Sequence, residues 1–207
     1  MAMRATLGKQ PAFPLQSGDV LSREEFERRY DASPDLKKAE LIEGVVYVGS
    51  PVPVDHSRPQ MRLAAWLATY ESRHPGVEAH DNVTVVLPDG SLPQPDLLLR
   101  RQDGTSTISG KGYVEGPPEL VIEIAVSSAS IDLHAKKAMY ERAGVPEYLV
   151  WRTLDNEVDW FALDAGRYAP LSAGGGGRIE SRQFPGLSLS VETLLDGSLA
   201  DLLALIG

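Results

Sequence analysis

The sequence predicts an α/β fold with a mixed central sheet flanked by helices, and three observations carry that prediction. Leu120-Val121-Ile122-Glu123-Ile124-Ala125-Val126 is apolar except at one position. Such a run reads as a strand covered on both faces, because a half-exposed strand alternates apolar with polar residues. Tyr148-Leu149-Val150-Trp151 is a second apolar strand, and helical periodicity fills the chain between them from about Ile131 to Ala143. That connection is long enough for a parallel crossover, which places strand and helix in adjacent layers.

Taken in order, residues 1–21 are Pro/Gly-rich and read as a flexible N-terminal arm, with residues 22–207 as one domain. Ser22-Arg23-Glu24-Glu25 matches a capping box and opens a helix through about Tyr30. Pro34 to Lys38 is a charged loop. Ala39 to Val48 reads as two strands turning at Glu43-Gly44. Asp55 is placed to cap a helix carrying Met61, Leu63, Ala64, Leu67 and Tyr70. Val77 to Leu87 is a strand region closed by Pro88-Asp89-Gly90, and Asp96 to Arg100 is a further strand. Arg101 to Pro118 reads as a long polar loop. The helix after Glu123 ends at Gly144, with Pro146 beyond it. Glu157–Leu163 and Tyr168–Leu171 read as a hairpin or meander, and Val191–Leu195 and Leu199–Ile206 as short C-terminal helices with an apolar face.

At 207 residues, 43% hydrophobic and 24% charged, the chain has the composition of an ordinary globular protein. It has no cysteine, which excludes disulfides, thiolate zinc sites and cysteine nucleophiles. No apolar run approaches a membrane span and the N-terminus lacks a signal-peptide core, so no membrane partner and a cytoplasmic location are expected. The net charge of −9 argues against simple electrostatic adhesion to nucleic acid. A carboxylate-rich cation site lowers that sum, and a local basic stripe can coexist with it.

Glu123 is the anomaly in its strand. A carboxylate stripped of water is costly unless a cation, a lysine or strong donors replace that water. Asp96, at the head of an apolar strand, poses the same problem. On the following helix, at about 100° per residue, Leu133, Met139, Tyr140 and Ala143 span an arc of roughly 120° that contains Lys136, while Lys137 falls outside it. Lys136 therefore points at the sheet, with Asp132 one turn earlier on the same side; the competing reading has it snorkel past the helix rim. Each acid alone has an ordinary explanation, backbone donors for Asp96 or an arginine such as Arg100 or Arg101 for Glu123. Together they suit a hard cation, for which the Ile124 carbonyl supplies a further oxygen. Glu40 is either a third carboxylate or a solvated strand start. His56 reads as a surface histidine of a helix N-terminus. His74, His80 and His134 lack zinc spacing. Ser127-Ser128-Ala129-Ser130 lacks a nucleophile frame and reads as a helix cap, and Gly174 to Gly177 as a turn. Trp66, Trp151 and Trp160 form no stacking platform.

Ala39 to Val46, Ser50-Pro51, His56, Pro95-Asp96, Leu120 to Ala125, Asp132 to Tyr140 and Ala143 to Tyr148 together resemble the Uma-type restriction endonucleases of the PD-(D/E)XK superfamily. The likeness runs in order from about residue 20 to 195. It implies a restriction-endonuclease-like core in which Asp96 and Glu123 hold Mg²⁺, with Mn²⁺ as the alternative. Lys136 is then the lysine displaced from strand to helix, and Glu40 an auxiliary acid. The position two residues after the glutamate, usually lysine, is Ala125 here. Val126-Ser127-Ser128 and Trp151-Arg152 also depart from the family pattern. The expected activity is metal-dependent hydrolysis of DNA phosphodiester bonds, with a homodimer suited to cutting both strands. The alternatives are a nuclease-fold protein that binds nucleic acid or a protein without cutting, and a hydrolase of small phosphoesters.

Overall fold

The computed structural model describes residues 13–207. Residues 1–12 of the expected arm lie outside the described residues. Residues 13–21 run beside the first hairpin: the Gly18 and Leu21 N–H groups donate to the Val46 and Gly44 carbonyls, and Val46 N–H to that of Asp19, each at 2.8 Å.

Helix α1 (Arg23–Asp31) starts at Ser22, whose hydroxyl accepts from Glu25 N–H. The capping box forms only by half, because the Glu25 carboxylate turns to Arg28 and Arg29 instead of back to the cap. Strands β1 (Ala39–Ile42) and β2 (Val45–Val48) form the expected hairpin. Its two-residue turn places Glu43 and Gly44 at φ 52° and 81°, the left-handed pair that matches the strand twist.

Helix α2 (Val54–Arg73) begins from Pro53, not from an Asp55 cap. Asp55 lies within the first turn, where its charge suits the dipole although it caps nothing. The expected strand Val77–Leu87 is two, β3 (Val77–Asp81) and β4 (Val85–Val86), broken at Asn82 with φ 48°. Strand β5 (Leu97–Arg101) follows. The segment expected to be a polar loop contains β6 (Thr107–Ile108) and β7 (Val114–Glu115), which join β4 in a small three-stranded sheet. Burial of Val114 drives that pairing, a single apolar anchor too sparse to show as periodicity.

Strand β8 (Leu120–Ala125) leads into a π-helical segment, Ile131–Lys136, which continues as α3 (Lys137–Ala143) and stops at Gly144 with φ 81°. Then come β9 (Glu147–Arg152), β10 (Glu157–Asp164), β11 (Arg167–Pro170), the small pair β12 (Arg178–Glu180) and β13 (Ser188–Ser190), and helices α4 (Val191–Asp196) and α5 (Leu199–Leu203).

The central sheet has six strands in the order β11-β10-β9-β8-β5-β3, and β8 with β9 is its one parallel pair. The expected mixed α/β layer is therefore present. Alternation sorts the side chains into two cores. Leu97, Leu99, Leu120, Ile122, Ile124, Leu149 and Trp151 face α2 and the C-terminal helices. Leu98, Val121, Ala125, Tyr148 and Val150 face α3. Trp66 and Trp160 meet edge to face with ring centroids 6.0 Å apart, so both are core aromatics.

Candidate active site

Period two puts Asp96 and Glu123 on the same face of the sheet, the α3 face, with Leu98 and Val121 as their neighbours. In the antiparallel register Leu97 faces Ile122, and one residue further sets Asp96 opposite Glu123. From the N-terminal hairpin, β1 turns Ala39 and Leu41 into their own small core and presents Glu40 the other way. The π-helical segment brings Asp132 and Lys136 over the same spot. Glu40, Asp96, Glu123, Ile124, Asp132 and Lys136 all line one cleft of about 260 Å³.

Lys136 is buried and does not snorkel. Its Nζ lies 2.9 Å from Glu123 Oε1, 3.0 Å from Glu40 Oε1 and 3.7 Å from Asp132 Oδ1. Lys137 points elsewhere, its Nζ 3.7 Å from the centre of the Phe161 ring. Tyr140 Oη also donates to Glu123 Oε1, at 3.2 Å. Both bonds thus fall on one oxygen, leaving Oε2 without a donor among the described residues, on a side chain that borders the cleft. Glu40 is buried, not a solvated strand start, and its Oε1 also accepts from Gln94 N–H. Neither acid takes an arginine: Arg100 is bound to Glu78 and Ser106.

Asp96 is held from three sides. Ile124 N–H donates to its Oδ2 at 2.8 Å, His56 Nε2 lies 3.0 Å from the same oxygen, and Lys38 Nζ is 3.4 Å from Oδ1. His56 is therefore part of this cleft, not a surface histidine. The first turn of α2 aims it inward, and a lone histidine beside a cap carries no pattern that reveals this. Lys38, read only as a loop charge, owes its place to the chain folding back before β1. The serines do not cap the helix with their side chains. Ser128 Oγ instead donates to Asp132 Oδ2 at 2.6 Å, while its carbonyl takes the N–H groups of Ile131 and Asp132.

Burial sets the electrostatics. It pushes the Glu123 carboxyl up to about 8 against the pull of Lys136, with Asp96, Asp132 and Glu40 adding to the rise. Burial acts the same way on Asp96, but His56, Lys38 and the Ile124 N–H outweigh it and hold that carboxyl at about 2. Burial also raises Asp132, against Lys136 and Ser128. For Lys136, desolvation is overcome by Glu123, Glu40 and Asp132, which lift it well above the usual lysine range. The amine is a charged donor, not a base.

Among the described residues no three His, Cys, Asp or Glu side chains close into a metal cage. Asp96 and Glu123 are nevertheless hard oxygen donors on neighbouring strands, and a Mg²⁺-like ion needs only one or two carboxylates when it keeps several waters. The donor set fits such an ion.

The family model described as "Uma2: Putative restriction endonuclease" matches residues 23–192. The chain belongs to the Uma2 family. The solved structure of a putative nuclease of DUF820 from Anabaena variabilis aligns with a TM-score of 0.67, at 14% identity over 86% of this chain and 98% of that one. At that identity the likeness establishes a shared fold. No curated protein matches. Among the described residues of this Uma2 chain, no helix is long and apolar enough to cross a membrane.

Proposed function

We propose that this Uma2 protein is a divalent-metal-dependent endonuclease that hydrolyses DNA phosphodiester bonds. The observation that carries the reading is the convergence of Asp96, Glu123, Glu40 and Lys136 on one cleft. Three buried carboxylates, Glu40, Glu123 and Asp132, share the one Lys136 ammonium, with Asp96 beside them, and a divalent cation would offset that concentration of acid.

Asp96 and Glu123, with the Ile124 carbonyl, would hold Mg²⁺ or Mn²⁺. That ion would supply Lewis-acid polarisation of the phosphate and acidify water. Lys136, charged and fixed by Glu123 and Glu40, donates toward the phosphate and stabilises the negative charge that builds during attack. Glu40 positions the Lys136 amine, and His56 and Lys38 fix the Asp96 carboxylate in its rotamer. Ala125 leaves the usual lysine position empty, and Lys136 reaches the same acid from the helix.

Asp96→Ala and Glu123→Ala are expected to abolish Mg²⁺-dependent cleavage of DNA while circular dichroism shows an intact fold. Full activity in either variant sinks the assignment. The second reading, a nuclease fold that binds nucleic acid or protein without cutting, is favoured by the net charge of −9. Calorimetry separates the two: no Mn²⁺ or Mg²⁺ binding at millimolar metal supports the non-cutting form. A two-fold dimer would serve cleavage of both strands of a duplex, and sedimentation tests it.

A further inference from the structure

The two edges of the central sheet are finished differently. On β11, Leu171 N–H just beyond the strand donates to Trp160, so Tyr168 and Pro170 are the residues whose backbone turns outward. Neither offers a donor there: Tyr168 N–H is taken by the Glu141 carboxylate at 2.7 Å, and Pro170 has no N–H. At the far end of the sheet lies β3. Gly76 accepts from Gln102 N–H at 2.8 Å and Asn82 N–H donates to Asp96 at 3.2 Å, so Glu78 and His80 turn their backbone groups toward β5. Val77, Ala79 and Asp81 turn theirs outward. Val77 N–H bends back to the His74 carbonyl at 3.2 Å, whereas Ala79 and Asp81 meet no outward partner among the described residues. An edge left open in this way is a template for another strand, and proteins usually blunt it.

This edge is complementary to itself. Laid antiparallel about a two-fold axis at Ala79, two copies of β3 set Ala79 against Ala79, Val77 against Asp81 and Glu78 against His80. Ala79 N–H then meets the Ala79 carbonyl of the second copy, and Asp81 N–H the Val77 carbonyl, each bond occurring twice by symmetry. Glu78 and His80 become the close, non-hydrogen-bonded pair, carboxylate against imidazole. Within one strand His80 Nε2 already lies 3.8 Å from Glu78 Oε2, and Arg100 and Gln102 hold that carboxylate from the β5 side. No like charges stand opposite each other. Sliding the register by two residues sets Glu78 on Glu78 or His80 on His80, and pairs fewer residues.

The surface above the edge fits the same axis. Helix α2 packs over β3 and leaves a groove of about 450 Å³, lined by Gln60, Met61, Ala64, Ala68 and Ala79. Met61 is 69% exposed, and the two alanines leave room for a second helix. A two-fold axis between antiparallel strands stands perpendicular to the sheet, so α2 of the second copy falls on the same side and covers the groove. We propose that β3 and this face of α2 form a two-fold interface with a second copy of the chain, joining two six-stranded sheets into one. The contact is isologous and closes on itself, and the finished edge of β11 stops further growth. The same axis leaves both clefts open on one face of the joined sheet, as cutting both strands of a duplex requires. In that respect the proposal rests on the nuclease reading, to whose dimer it gives an interface.

The test is self-association of the full chain, read apart from cleavage. Sedimentation equilibrium is run from on the order of 1 to 100 μM. Salt of about 0.3 M screens the repulsion between chains of net charge −9. The wild type is expected to become a dimer at the upper end. His80→Glu opposes two carboxylates twice in the interface and is expected to raise the dissociation constant roughly tenfold, with an unchanged circular dichroism spectrum. Ala79→Pro removes an outward N–H and no bond to β5, and is expected to raise it at least about tenfold. Hydrogen exchange reads the contact directly: the Ala79 and Asp81 amides should exchange more slowly in the dimer than after dilution. A wild type that stays monomeric at the highest concentration overturns the proposal. A dimer that His80→Glu leaves unaltered, or exchange in β3 that ignores concentration, overturns it as well. Failure of the nuclease reading shows elsewhere, as cleavage that survives Glu123→Ala.

Discussion

Replacing Glu123 by glutamine should stabilise the protein at alkaline pH and not at acid pH. The carboxyl is raised from 4.5 to about 8 by burial. Between those values the folded state keeps a proton that the unfolded chain has lost. Stability therefore falls as pH rises through that window, and levels off above about 8. The full interval corresponds to about 5 kcal/mol at 1.36 kcal/mol per pH unit. Breaking a buried pair by removing one partner usually costs about 3–5 kcal/mol, which would erase the gain. Here Lys136 keeps Glu40 at 3.0 Å and Asp132 at 3.7 Å, so its charge is not abandoned. Glutamine also retains an oxygen acceptor for Lys136 and Tyr140. The net expectation is a gain of about 2 kcal/mol near pH 8.5, shrinking toward zero near pH 5.5. Urea unfolding of both proteins at the two pH values measures it. A difference that is flat with pH, or that grows toward acid, refutes the reasoning.

Lys136→Met removes the one buried cation from three carboxylates. It should abolish cleavage and destabilise by about 3–5 kcal/mol near pH 8, less in acid where Glu123 is protonated, as urea unfolding would show. His56→Ala acts on a group shifted the other way. Asp96 is lowered from 3.8 to about 2, so its contribution of about 2 kcal/mol is present above pH 3.8 and lost as pH falls through about 2. The variant should lose much of that stability at neutral pH and converge on the wild type near pH 2; an unchanged difference between the two pH values counts against the contact. Ser128→Ala leaves Asp132 Oδ2 without its donor and should cost about 1–2 kcal/mol in thermal unfolding.

The legible parts of this site are those that repeat. Alternation in β5 and β8 places Asp96 and Glu123 on one face whatever the tertiary details, and the helical angle singles out Lys136 over Lys137. That angle survives although the segment is π-helical, because a wider turn still keeps positions four apart on one side. The π turn itself left no trace: Ile131 to Lys136 has the residue pattern of ordinary helix, and the widening is seen only as Lys137 N–H reaching the Asp132 carbonyl. His56 and Lys38 were also illegible. Each comes from a different segment and meets Asp96 by tertiary folding, over 40 and 58 residues of separation. The β4-β6-β7 sheet was hidden for a further reason, since strands of two residues show no period.

Net charge sets how the proposed nuclease would hold DNA. Among its arginines, Arg29 is tied to Asp19 and Glu25, Arg100 to Glu78, and Arg152 to three acids. Lys136 is buried among carboxylates. Lys38 is held by Asp96 at 3.4 Å, so few cations around the cleft are left to meet phosphate. Each phosphate neutralised contributes about −0.9 to the slope of log affinity against log salt on duplex DNA, so two or three contacts give about −2 to −3. Weak binding with a shallow slope follows in EDTA, and affinity should rise once a divalent ion offsets the acids of the cleft. A slope steeper than about −6 would mean that a basic surface, not the cleft and its metal, carries recognition.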